Sequence, residues 1–85
     1  MKELKWSSSK DATIQLTRGM SFNRLVHSRF VGIERHEKRL HQDLMLFECD
    51  GYIWVIPFVD GGDHYFLKTA YPSRKRTHIH RRRAE

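Results

Sequence analysis

The run YIWVIPFV, residues 52–59, is apolar on both faces of any strand it forms, and turn chemistry closes it at each end. Before it stands Asp50-Gly51, a pair that accepts the left-handed backbone of a two-residue hairpin turn. After it stands Asp60-Gly61-Gly62-Asp63. A strand of this kind must be covered on both faces. It predicts a central position, with RLHQDLMLFE (39–48) and HYFLKTAY (64–71) as hairpin partners on either side. Pro57 lacks an N–H and predicts a bulge or an edge position where it falls. A further strand is expected earlier, in FVGIERHEKR (30–39).

Upstream the pattern is helical. In SSSKDATIQLTRG (7–19) the serines offer an N-cap, Asp11 suits the first turn and Gly19 suits the position after the last. Ala12 and Leu16, with Trp6 ahead of them, are the expected buried stripe. SFNRLVHSRF (21–30) predicts a second helix, capped by Ser21, with Phe22, Leu25, Val26 and Phe30 at helical spacing. The expected fold is α+β: two N-terminal helices packed on a curved antiparallel sheet of three to four strands. A chain of 85 residues supports one such domain, 1–85, and not two. Its single cysteine, Cys49, excludes an internal disulfide and a cysteine-rich zinc site. The start MKELKW has no apolar signal region, and no apolar run approaches the roughly 20 residues of a membrane helix. A cytoplasmic protein with no membrane partner is therefore expected.

The net charge of +6 is unevenly placed. Residues 1–67 carry nine Lys/Arg against nine Asp/Glu, whereas residues 68–85 carry seven Lys/Arg and one acid, Glu85. The whole excess lies in the last stretch, which predicts a polyanionic partner: nucleic acid, ribosome or an acidic protein. Residues 76–85 read as a basic C-terminal arm.

Metal chemistry finds little support. His36 and His41 are five residues apart, on different faces of a helix and of a strand, and the H-E-x-x-H pattern is absent. His78 and His80 would share a strand face but stand among arginines. No glycine-rich phosphate loop or nucleophile elbow is present, so neither metal nor cofactor is expected. Cleavage of RNA through its 2′-hydroxyl asks for neither. It needs a base, an acid and cations where charge grows on phosphorus. Two groups of residues can supply these: His36, Glu37, Lys38, Arg39 and His41, and then Lys68, Tyr71, Arg74 and Lys75. With the strands paired as above, both can meet on one rim of the sheet. Lys68 should share a strand face with Phe66 and Ala70.

KWSSSKDATIQLTRGMSF, with its tryptophan, lysine-bearing helix and basic-Gly-hydrophobic-Ser-Phe turn, resembles the opening of BrnT-type toxins. FLKTAYPSRK resembles their last strand with its Ser-Arg-Lys element. The resemblance spans residues 4–75 and implies a RelE-like fold. It also implies the toxin of a two-gene toxin–antitoxin system, a ribonuclease that cuts messenger RNA and is silenced by an adjacent-encoded, DNA-binding antitoxin. Carried over by position, it places Glu37 and Lys38 as the acid and lysine of the site, Arg74 as its late arginine, and Trp6 as the N-terminal tryptophan. Arg74 and Lys68 are then the expected phosphate ligands and Glu37 or His36 the base. Lys38, Lys75 and His41 would assist, and Lys75, Arg76, His41, Tyr71 and Trp6 would bind RNA. Two features depart from the pattern: Pro72 in YPSRK, and an ending, THIHRRRAE, without a long acidic-basic helix. The alternative is a non-catalytic basic module that binds RNA, the ribosome or DNA, or a degenerate toxin serving only as antitoxin partner.

Overall fold

The computed structural model describes residues 2–84. Strand β1 (Glu3–Trp6) leads into helix α1 (Ser8–Arg18) and the single helical turn α2 (Phe22–Val26). Strands β2 (Arg29–Arg35), β3 (Asp43–Cys49), β4 (Tyr52–Asp60) and β5 (His64–Leu67) follow, then the two-residue β6 (Tyr71–Pro72) and helix α3 (Arg74–Ala84). The sheet order is β1-β5-β4-β3-β2, with β6 also pairing β4.

The two turn signals act as the sequence predicts. Cys49 pairs with Tyr52 across Asp50 and Gly51, whose φ angles of 55° and 79° are those of a left-handed two-residue turn. Gly61 donates its N–H to the His64 carbonyl at 2.8 Å, closing the second hairpin. Tyr52–Asp60 is the central strand, buried from Ile53 through Phe58. Along it, Trp54, Ile56 and Phe58 enter one core with Ile14, Phe22, Leu25, Met45 and Leu67. Ile53 and Val55 join Leu44 and Leu46 on the opposite face. Each such side chain taken fully out of water stabilises the fold by about 1.5–3 kcal/mol.

Pro57 sits inside this central strand without breaking it. Toward β3 the ladder is continuous from Asp43 to Cys49. The other edge of β4 is divided: Trp54 and Val55 pair with β6, and Phe58–Asp60 pair with β5. Pro57 falls at the seam, where no ladder N–H is needed, and its carbonyl accepts from Lys68 N at 2.8 Å. The predicted strand 64–71 is therefore interrupted at Lys68, and its last part becomes β6.

The expected pair of N-terminal helices and three- to four-stranded sheet needs correction. Among the described residues there is one full N-terminal helix, one five-residue turn and one C-terminal helix, on six strands. Ser7 Oγ accepts from Lys10 N at 3.0 Å to start α1, and Gly19, at φ 64°, ends it with its N–H on Gln15 O. Asp11 accepts from Phe22 N at 2.8 Å, tying the helix to α2. The buried residue of α1 is Ile14; Leu16, expected inside, is 89% exposed. α2 stops at Val26 because Phe30 is taken by the sheet, its ring 5.5 Å from Phe47 in an edge contact. Strand β1 is added by parallel pairing with β5, Trp6 beside Leu67.

The basic arm expected over 76–85 is a helix through Ala84, with Glu85 outside the described residues. Its anchor is a pair of small hydroxyl residues. Ser73 donates its N–H to Ile53 O at 2.8 Å, and its Oγ caps α3 by accepting from Arg76 N at 3.1 Å. Thr77 Oγ1 accepts from Ile53 N at 2.8 Å and donates to Ser73 O at 2.6 Å. Ser73 and Thr77 are both buried, at 8% and 3% exposure.

Candidate active site

Strand β2 ends at Arg35 and β3 begins at Asp43, leaving 36–42 as a loop on the rim of the sheet. The predicted start of β3 near residue 39 is thus displaced, and Leu40 is 97% exposed. The loop is held by His36 N donating to Gln42 O, and by Gln42 N donating to Arg39 O. Inside it, Lys38 N donates to His36 Nδ1 at 3.1 Å. In that bond Nδ1 is the acceptor, and Nε2 is the ring nitrogen left to donate.

Parallel pairing sets Trp6 beside Leu67, so the first turn of α1 comes next to Lys68 and Thr69. One hollow on the rim is lined by Lys10, His36, Arg39, Gln42, Lys68 and Thr69, with Pro57 at its floor. Among the described residues it holds three full cations and one imidazole, and no carboxylate. A second hollow contains His36, Glu37, Lys38, Tyr71 and Arg76 around Leu44. His36 is common to both. The first suits a phosphate; the second brings together a carboxylate, an ammonium, a phenol and a guanidinium, the groups that move protons and offset charge at phosphorus.

The two groups read from the sequence do meet on one rim. His36 joins Lys68 in one hollow, and His36, Glu37 and Lys38 join Tyr71 in the other. Lys68 differs from expectation in detail: it lies past the end of β5, exposed, with its ammonium 5.6 Å from the Phe66 ring centroid. The remaining sequence candidates fall outside these hollows. Arg74 and Lys75 are exposed on the first turn of α3, and His41 is exposed in the loop. Trp6 packs on Phe22, ring centroids 5.6 Å apart, and lies against the core. The arginine of α3 that lines the second hollow is Arg76, two positions after Arg74. Its Nε and Nη2 donate to Glu34 Oε1 at 3.2 and 3.1 Å, which fixes the guanidinium beside the hollow.

Lys10 and Gln42 were not legible as site residues. Lys10 is a lone cation in the first turn of a helix, where the dipole disfavours it by about 0.3–1 kcal/mol. That misfit, with its place in the lysine-bearing helix of the resemblance, is the local signal it gives. Arg74 and Lys75 carry the same misfit at the start of α3, whose first turn has no acid.

No family model matches the sequence, and no curated protein matches it. A solved structure does match in shape: the crystal structure of the ribonuclease toxin BrnT of Brucella abortus. The similarity has a TM-score of 0.58 at 12% sequence identity and covers 86% of this chain and 97% of the other. Among the described residues no helix is long and apolar enough to cross a membrane. The protein folds as a BrnT-like toxin does.

Proposed function

We propose that this chain is the toxin of a toxin–antitoxin pair and an endoribonuclease that cuts messenger RNA through its 2′-hydroxyl. The observation that carries the reading is the position of His36, the shared wall between a hollow of cations and a hollow containing Glu37, Lys38, Tyr71 and Arg76. The ribonuclease toxin fold supports it.

In this reading Lys10, Arg39 and Lys68 hold the scissile phosphate. Glu37 takes the proton of the 2′-hydroxyl as its oxygen attacks phosphorus. His36 serves as a donor in this reading, with Lys38 N–H on its Nδ1 and its Nε2 donating to a non-bridging oxygen. Arg76 offsets the charge that grows there. The bond to the 5′ oxygen breaks, and that oxygen takes its proton from Lys38 or Tyr71. The products are a 2′,3′-cyclic phosphate and a 5′-hydroxyl. Arg74, Lys75 and His41, outside the hollows, contact flanking phosphates, and Trp6 acts as a core residue. The antitoxin is the expected partner, and the RNA is met free or on the ribosome.

The test is purified protein with end-labelled RNA in the presence of a chelator. Cleavage is expected, and it should disappear when the 2′-hydroxyl at the cut is replaced by hydrogen and when Glu37 becomes Gln. Tight, salt-sensitive RNA binding with no new ends, and growth unaffected by expression without the neighbouring gene, would establish the non-catalytic binder instead.

A further inference from the structure

Helix α3 does not lie flush on the second face of the sheet. Between it and the edge strand β2 runs a groove whose floor is Val31, Leu46, Ile53 and Ile79. Val31 and Ile79 remain 37% and 39% exposed, an aliphatic strip on a chain of net charge +6. Strand β2 is the last in the sheet order, so its outer edge has no partner among the described residues.

The walls of this groove are unlike its floor. α3 contributes Arg76, His80 and Arg83 to the lining, and no residue from Arg74 to Ala84 is acidic. The carboxylates opposite are already engaged: Glu34 by Arg76, and Glu48 by Arg29 and His80. Among the described residues no carboxylate comes within ion-pair distance of Arg83. The unanswered charge is therefore positive and flanks an aliphatic floor.

We infer that this groove docks an acidic peptide segment bearing aliphatic side chains. Its carboxylates answer Arg83, and its aliphatic groups cover Val31 and Ile79. A second copy of the chain would bring another large positive charge to the same place. RNA would find cations here but no aromatic ring on which to stack a base. The inference goes beyond the cleavage reading and does not depend on it.

The experiment uses the full chain and two fluorescein-labelled synthetic peptides of equal length and charge. One alternates Glu with Leu and Val, the other alternates Glu with Ser. Anisotropy at physiological salt should show the aliphatic peptide binding at least about tenfold tighter, the value of one or two aliphatic groups buried. Ile79→Ser and Val31→Ser, both at part-exposed positions, should each remove most of that preference. Amide shifts of the wild-type protein should move at Val31, Ile53 and Ile79. Equal binding of the two peptides, shifts confined to the rim around His36, an RNA oligonucleotide shifting the groove residues instead, or self-association that covers Ile79 would each overturn the assignment. Loss of cleavage in Glu37→Gln leaves all these readouts unaffected, so failure here and failure of the ribonuclease reading are separable.

Discussion

Replacing Thr77 by valine isolates the anchor of α3. The two side chains have nearly the same shape, so packing around this 3% exposed position is kept and only the hydroxyl is lost. Two hydrogen bonds disappear with it. The Ser73 carbonyl loses the 2.6 Å bond from Thr77 Oγ1 but still accepts from Thr77 N at 3.0 Å. The Ile53 N–H loses its acceptor at 2.8 Å and is left inside a residue only 1% exposed. One orphaned buried donor costs about 1–3 kcal/mol. Taking the middle of that range, a domain of this size should melt roughly 8–16 °C lower. Urea unfolding should show a lower midpoint with an unchanged slope, and Thr77→Ser should recover most of the loss. A Thr77→Val protein within about 0.5 kcal/mol of wild type would mean that Ile53 N–H has another acceptor and that Thr77 is not the anchor of α3.

Three further outcomes are expected. Arg74→Glu should raise stability by about 0.3–1 kcal/mol, because an acid suits the first turn of α3, while RNA binding weakens; thermal melts and filter binding measure the two separately. Gly51→Ala should cost about 1 kcal/mol in denaturant unfolding, because Gly51 holds φ 79° in the hairpin turn. Stability should also fall with acid at the far end of β4. The Asp60 carboxyl is held below its ordinary range by the hydrogen bond from Lys2 and then by Gly62 N–H, and Asp63 is held low by His64. A lowered folded value means that their contribution is present above about pH 4 and lost as pH falls through the depressed values. Lys2, raised chiefly by the Asp60 hydrogen bond, gives a contribution that fades only above its ordinary 10.5. Asp60→Asn should therefore flatten the acid limb of a plot of melting temperature against pH.

What the sequence revealed, and what it hid, follows from the range of the interactions. Asp50-Gly51 and Asp60–Asp63 are local signals, and the hairpins they mark are where the reading put them. The caps of α1 at Ser7 and Gly19 are local too. Strand β1 was hidden because its four residues become a strand only by pairing with β5, some sixty positions away. α3 was hidden because it has no apolar stripe: the residues that hold it, Ser73 and Thr77, look in sequence like polar filling. The site itself was half legible. That 36–38 and 68–71 share a rim follows from strand order. Whether Arg74 or Arg76 faces the hollow depends on helical phase, which is set once Ser73 is known to be the cap.

That cap and Thr77 also make α3 a shared strut. Both engage the same backbone unit, Ile53, near the helix start, and farther along Arg81 Nη2 donates to Gly51 O at 3.1 Å and His80 pairs with Glu48. Arg76 stands beside the hollow, and Arg83 stands roughly 10 Å farther along, at 1.5 Å rise per residue. The helix is thus tied to the sheet at both ends of this span, and the hollow and the groove share one rigid wall.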